Sequence, residues 1–141
     1  MALDLTSLTK AINALKASIE VMHSYDNNPE TDIALKDTLR SGVIQNFEVA
    51  YELCWKFIQR WIRENRVPAD ADYPITRKEL FRMAAKYNLI SDPLPWFEFG
   101  NARNLTSHTY DGPQAALVYE AAVSFLPYAR ELLKRLKGRD R

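Results

Sequence analysis

The chain has 141 residues, of which 26% are charged and 47% are apolar, and its formal net charge is +1. These values are ordinary for one globular domain, and they argue against a disordered chain and against broad coating of nucleic acid. No apolar run approaches the roughly 20 residues of a membrane-spanning helix, and the N-terminus lacks the pattern of a secretory signal. Because Cys54 is the single cysteine, no intrachain disulfide is possible. We therefore expect one cytoplasmic domain over residues 1–141, with no membrane association.

Apolar residues recur at steps of three and four along most of the chain, which is typical of amphipathic helices. The first helix is predicted over about residues 4–24, and a longer second helix is predicted over about residues 31–65. The predicted inward face of the second helix holds Leu35, Leu39, Val43, Ile44, Phe47, Tyr51, Cys54, Trp55, Ile58 and Ile62.

The second half of the chain carries three more helix signals. Thr76 and Glu79 have the spacing of a capping box, which predicts a short helix to about Tyr87. Ser91-Asp92-Pro93 predicts the next start, and the last helix should span about residues 114–137 with a kink at Pro127. The fold class is therefore all-α, an up-and-down bundle of about five helices. Inward residues of the last helix are predicted to be Ala115, Leu117, Val118, Ala121, Ala122, Phe125, Leu126, Leu132, Leu133 and Leu136.

A polar row accompanies the apolar face of the second helix. Gln45, Glu48, Glu52 and Lys56 follow one another at steps of three and four. Such a row is most often a solvated face, here with Glu52 and Lys56 as an i,i+4 ion pair.

The run Arg-Asn-Leu-Thr-Ser-His-Thr-Tyr at 103–110 contains several candidate functional side chains. It is followed by Asp-Gly-Pro, which should end a helix. Arg103 offers a cation for a phosphate, and His108 offers a proton carrier near neutral pH. They are five positions apart, which is about 140° around an ideal helix. They can reach one site if the helix unwinds between them, or if a two-fold axis brings two copies of the motif together.

This run resembles the Arg-x4-His-x-Tyr signature of HEPN proteins that are paired with minimal nucleotidyltransferases in toxin–antitoxin systems. The asparagine after the arginine also matches, as does the Gln-x-Phe-Glu-x3-Glu-Leu-x-Trp-Lys run at 45–56. The resemblance implies a HEPN-like homodimer with metal-independent ribonuclease activity, with Arg103, His108 and Asn104 in the active cleft. Tyr110 is implied to be adenylylated by the partner nucleotidyltransferase antitoxin, which silences the toxin.

The chemistry of the residues agrees with that implication. Cleaving RNA through its own 2′-OH needs a proton carrier such as His108 and a fixed cation on the phosphate such as Arg103. Asn104 could hold a phosphate oxygen or orient the histidine. No cofactor is expected, and no Cys/His/Asp cluster has metal-ligand spacing. Glu48, Glu52 and Lys56 are candidates for lining the cleft.

Two interpretations remain open at the level of the sequence. The protein is either a nuclease toxin or a non-catalytic subunit that presents nucleotide or substrate to the nucleotidyltransferase. Tyr110 is either the modification site or a buried tyrosine whose hydroxyl caps a turn.

Overall fold

The computed structural model describes residues 3–66, 76–106 and 112–139. Within those ranges the secondary structure is five α-helices without a strand, which confirms the predicted all-α class. The helices are α1 (Thr6–Asp26), α2 (Ile33–Asn65), α3 (Arg77–Lys86), α4 (Pro93–Asn104) and α5 (Gly112–Gly138).

The helix starts follow from short polar side chains that accept hydrogen bonds from free main-chain N–H groups. Asp32 accepts from the N–H of Ala34 at 3.2 Å, which starts α2 two residues later than predicted. Thr76 accepts from the N–H of Glu79 at 3.2 Å, so the predicted start of α3 is confirmed.

The predicted start of α4, which has a proline in its first turn, is also confirmed. The carboxylate of Asp92 accepts from the N–H of Leu94 at 3.0 Å, and Pro93 occupies the first turn of α4. At the other end of the chain, Pro127 lies inside the continuous helix α5, where it removes one main-chain hydrogen bond.

The body of the bundle consists of α1, α2 and α5, which pack on one another, while α3 and α4 pack together against α2. Phe125 of α5 joins these parts because its ring contacts aromatic rings from α2 and α4. The centroid distances are 5.3 Å to Phe47, 6.1 Å to Tyr51, 5.5 Å to Trp96 and 5.2 Å to Phe99. The aromatic residues that precede the motif therefore fix α4 to the body of the protein.

Two predicted inward residues are on the surface. Leu35 is 40% exposed and Leu117 is 58% exposed. Leu35 lies eight residues before the buried Val43, which turns it about 80° away from the core direction. Leu117 is rotated by about 100° from the buried Val118. The helical period of the apolar residues was predicted correctly, but the predicted buried face was wider than the observed one.

Among the helices that the structure describes, none combines the length and the apolar character needed to cross a membrane.

Candidate functional site

Arg103 lies in the last turn of α4, and its side chain reaches across to α2. The Nε group donates to Oε1 of Glu52 at 3.1 Å, and Nη2 lies 3.5 Å from Oε2 of Glu48. Nη1 donates to Oγ1 of Thr106 at 2.8 Å, just beyond the end of the helix. The guanidinium is therefore held on three sides while its side chain stays 28% exposed.

Glu52 connects three helices at this site. Besides Arg103, its Oε1 accepts from Nη2 of Arg77 on α3 at 3.3 Å. Its Oε2 accepts from Nε1 of Trp55 at 2.8 Å. Because carboxylates accept charge-assisted hydrogen bonds well, Glu52 orients both arginines at once.

The polar row on α2 divides in the structure. Glu48 and Glu52, one turn apart, both face Arg103. Lys56 is exposed, and Glu52 pairs with Arg103 and Arg77 instead of forming the predicted i,i+4 pair with Lys56. That expected pair was wrong, because α3 and α4 bring arginines to the carboxylate from outside the helix.

The regular part of α4 ends one residue after Arg103. Asn104 is its last residue, and the N–H of Leu105 bonds the carbonyl of Ala102 at 3.0 Å. The α-helix thus stops between Arg103 and the position of His108, which is the condition for the first of the two routes by which both residues could reach one site. His108 and Tyr110 themselves lie outside the described residues, so their placement stays a prediction.

A cleft of about 130 Å³ lies directly beside the motif, between α2, α3 and α4. Asn104 reaches its rim. This cleft could not be predicted from the sequence, because its walls come from three separate helices. Its lining is Tyr51, Arg77, Lys78, Phe81, Trp96, Phe97, Gly100, Asn101 and Asn104.

Titratable groups in the core are held neutral. Complete burial raises the pKa of the Cys54 thiol far above its ordinary value, so Cys54 is a packing residue. Burial also raises the pKa of Tyr51, and the nearby Arg77 guanidinium partly opposes that shift. Within the described ranges, no three or more His, Cys, Asp or Glu side chains come together in a metal-binding arrangement.

The geometry defines a class of site. An arginine held by carboxylates, next to a cleft with further cations and aromatic walls, is suited to binding a phosphate-bearing ligand. The chain belongs to the family described as nucleotidyltransferase substrate binding protein like, whose model matches residues 3–138. This confirms the resemblance that the motif indicated.

Individual relatives agree with this assignment. A protein of Haemophilus influenzae named probable ribonuclease HepT is 36% identical over 106 residues, covering 75% of this chain and 73% of the relative. A solved structure from the same organism is described as revealing the fold of a substrate binding domain of a nucleotidyltransferase. It matches the structure of this chain with a TM-score of 0.87. It is 30% identical, and the match covers 95% of this chain and 99% of that one.

A more distant structure extends the likeness in fold. One chain of a toxin–antitoxin crystal structure with AMP-PNP is 18% identical, with a TM-score of 0.62. That match covers 92% of this chain and 96% of the other. At this identity the likeness concerns the arrangement of helices alone.

Proposed function

We propose that the protein is a HEPN-type toxin, a metal-independent endoribonuclease paired in the cytoplasm with a minimal nucleotidyltransferase antitoxin. The observation that carries the proposal is the Arg103 guanidinium, which Glu48 and Glu52 hold in a fixed orientation at the end of α4. The relative named as a probable ribonuclease supports the reaction class, and the chain from a toxin–antitoxin structure shares the fold.

The proposed reaction is attack of the RNA 2′-oxygen on the adjacent phosphorus. The 2′-OH gives up its proton, the bond from phosphorus to the 5′-oxygen breaks, and that oxygen takes a proton as it leaves. His108 carries the proton, because an imidazole is half-protonated near neutral pH. Arg103 stabilises the charge that accumulates on the phosphate oxygens, and Asn104 holds a phosphate oxygen or orients the histidine.

The contacts of Arg103 suit this role. Its Nη2 contact to Glu48 is 3.5 Å long, whereas its Nε contact to Glu52 is 3.1 Å. A phosphate oxygen can displace the longer contact and leave the shorter one to keep the guanidinium in place.

Homodimerisation belongs to the proposal, because a second copy would bring another Arg103 and His108 to the same cleft. Trp96 and Phe99, large aromatic residues just ahead of the motif, are buried in their own protomer at 1% and 5% exposure, so most of their surface is already covered. Support comes instead from an apolar groove between α4 and α5, whose lining includes Ala102, the residue next to Arg103. Its lining includes Phe99, Ala102, Leu105, Leu117, Val118 and Ala121.

Light scattering tests the dimer. Leu117 is 58% exposed in that groove, so Leu117→Glu should yield a monomer at micromolar concentration. Leu94 is 63% exposed on α4 outside the groove, and Leu94→Glu should leave the dimer intact. A monomeric wild-type protein at that concentration counts against a symmetric cleft.

Silencing by adenylylation of Tyr110 is the regulatory part of the proposal. Transfer of AMP to the phenol adds a phosphodiester anion, which Arg103 would pair with in place of the RNA phosphate. Incubation with the partner nucleotidyltransferase and ATP should raise the mass by one or more AMP units and reduce cleavage in step. Tyr110→Phe should abolish labelling, whereas Tyr25→Phe, at an exposed tyrosine on α1, should not. A Tyr110→Phe protein that is still labelled and silenced contradicts the assignment.

A second candidate is a non-catalytic subunit that presents nucleotide or substrate to the nucleotidyltransferase. It is favoured by the relative described as a substrate binding domain and by the cleft beside Asn104.

One comparison separates the two candidates. The chain has two histidines, so His108→Ala has a natural control in His23→Ala, which changes an exposed residue at the end of α1. Purified wild-type protein and His23→Ala should cleave RNA in the presence of a chelator, and His108→Ala should not. Equal cleavage by all three proteins rejects the proposed mechanism, and an inactive, unmodified wild type favours the binding subunit.

A further inference from the structure

The cleft beside Arg103 has an apolar floor and a polar rim. Tyr51, Phe81 and Trp96 form the floor and are at most 1% exposed. The rings of Phe81 and Trp96 stack with centroids 5.3 Å apart. The rim carries four exposed polar side chains, which are Arg77, Lys78, Asn101 and Asn104.

The hydroxyl of Tyr51 is the unusual group in this cleft. Tyr51 is fully buried, and its hydroxyl makes no well-formed hydrogen bond to the residues that the structure describes, although the Arg77 guanidinium lies close enough to oppose the rise in its pKa. A buried hydroxyl without a partner destabilises a protein, so its retention calls for an explanation. Gly100 lies against it, because a Cβ added at Gly100 would come within 2.8 Å of the Tyr51 oxygen. The absence of a side chain at position 100 therefore leaves room for the hydroxyl, and both residues line the cleft.

The composition of the lining restricts the ligand. None of the described residues that line it carries a carboxylate, so this part of the lining lacks the oxygen ligands that hard metal ions prefer. The volume of about 130 Å³ is below the roughly 300–1,000 Å³ that drug-sized ligands occupy, so a single ring system fits best. Aromatic walls accept the face of a nucleobase, amides bond its edges, and Arg or Lys pairs with the attached phosphate.

We infer that this cleft binds one nucleotide unit, with the base between Phe97 and the Tyr51 hydroxyl and the phosphate on Arg77 and Lys78. The inference deepens the proposed function and rests on it for the identity of the ligand as RNA. Glu52 joins Arg77 to Arg103 through one carboxylate oxygen, so the bound unit would neighbour the phosphate that Arg103 contacts. The cleft then acts as a subsite for a nucleotide that flanks the cut.

Two sources could supply that nucleotide, a single-stranded RNA or a free nucleotide, and two probes distinguish them. One probe is a 2′-O-methyl oligoribonucleotide, which cannot be cleaved through its 2′-oxygen, and the other is AMP. Dissociation constants are measured for both with the full chain. Tighter binding of the oligonucleotide identifies RNA as the occupant, and binding of AMP alone identifies the free nucleotide.

Three variants test the cleft itself. Lys78→Ala should weaken binding about three- to tenfold, whereas Lys134→Ala, at an exposed lysine of α5, should not change it. Phe97→Leu should weaken binding about five- to fiftyfold through loss of stacking. Tyr51→Phe should weaken binding about two- to tenfold while the thermal midpoint stays equal or rises, because it removes a buried hydroxyl that lacks a well-formed hydrogen bond.

The outcome for Tyr51→Phe separates binding from structure, since a merely structural tyrosine would not lose affinity while keeping its stability. Unchanged dissociation constants for Lys78→Ala, Phe97→Leu and Tyr51→Phe overturn the inference, even if the wild type cleaves RNA through His108. Conversely, an inactive wild type that binds the probes and loses affinity in these variants supports the cleft while the ribonuclease proposal fails.

Discussion

Arg103 and Arg135 are alike in exposure and in ion pairing, but they differ in their other hydrogen-bond partners. The side chains of Arg103 and Arg135 are both 28% exposed. Each pairs with a glutamate, at 3.1 Å from Glu52 for Arg103 and at 3.0 Å from Glu131 for Arg135. Burial and ion pairing alone therefore do not separate them.

The other hydrogen-bond partners of the two arginines do separate them. Arg135 donates to the main-chain oxygen and the side-chain Oδ1 of Asn88, both at 3.1 Å, and to Oγ of Ser91 at 2.9 Å. Asn88 has a positive φ of 63°, which asparagine tolerates, and it follows the end of α3. Arg135 thus fastens the connection between α3 and α4 to α5.

Arg103, in contrast, contacts only side-chain oxygens among the residues that the structure describes. Glu48, Glu52 and Thr106 accept its hydrogen bonds or pair with its charge. Side chains can rotate away when a ligand offers better acceptors, whereas a main-chain carbonyl in a fixed turn cannot. The identity of the partner atoms therefore distinguishes a cation that holds the fold from one that is available for a ligand.

Arg103→Ala should produce the largest effect. Loss of the cation that faces the phosphate should lower kcat/KM for RNA cleavage by about 10²–10³, a typical result of removing one stabilising donor from a transition state. The thermal midpoint should stay close to that of the wild type, because the side chain is not part of the apolar core. Cleavage kinetics together with thermal denaturation followed by circular dichroism provide the check. A folded Arg103→Ala protein with wild-type kcat/KM would remove the distinction drawn between the two arginines.

Arg135→Ala should show the opposite pattern. It leaves the carbonyl of Asn88 and the hydroxyl of Ser91 without the Arg135 donor, which should reduce the free energy of unfolding by about 1–2 kcal/mol. Arg139 also donates to the Asn88 carbonyl, at 2.9 Å, which limits the loss. Chemical denaturation measures this change, and kcat/KM for cleavage should be unaffected. Lost cleavage in a folded Arg135→Ala protein would place Arg135 with the functional residues.

The sequence predicted the local features of this molecule better than the long-range ones. The starts of α3 and α4 depend on Thr76, Asp92 and Pro93, whose effects reach only the next few residues along the chain. The contact between Arg103 and Glu52 joins residues 51 positions apart, and it exists only because α4 crosses α2 at that turn. The spacing of Glu48 and Glu52 placed both on one face, but nothing in the spacing indicated that arginines from other helices would replace Lys56 as partners.

Glu52→Gln should sharpen the comparison by weakening the support of Arg103 without removing the arginine. An amide accepts a weaker hydrogen bond than a carboxylate and offers one oxygen for the three donors that Glu52 now serves. We expect kcat/KM to fall about tenfold. Glu48→Gln is the matched control with the longer 3.5 Å contact, and its effect should be smaller. A larger effect of Glu48→Gln than of Glu52→Gln in a cleavage assay would mean that the shorter contact is not the one that positions Arg103.

Thr106→Val should have the smallest effect. Oγ1 of Thr106 accepts from Nη1 of Arg103 at 2.8 Å and donates to the main-chain oxygen of Arg103 at 2.7 Å, so the hydroxyl links the side chain to the end of its own helix. Valine keeps the shape and removes both hydrogen bonds. Because Arg103 is 28% exposed, water can replace the lost acceptor, and kcat/KM should fall only about two- to fivefold.

Thr9 provides the control for that experiment. Its hydroxyl also bonds a main-chain oxygen of its own helical region, that of Leu5 at 2.9 Å, but it does not contact an arginine among the residues that the structure describes. Thr9→Val and Thr106→Val should therefore change the thermal midpoint by similar small amounts, and only Thr106→Val should change cleavage. If both variants alter cleavage equally, the Thr106 hydroxyl acts through helix stability and not through Arg103. A selective loss in Thr106→Val shows that the side-chain partners of Arg103 set its orientation, whereas Arg135 is also held by the main-chain oxygen of Asn88.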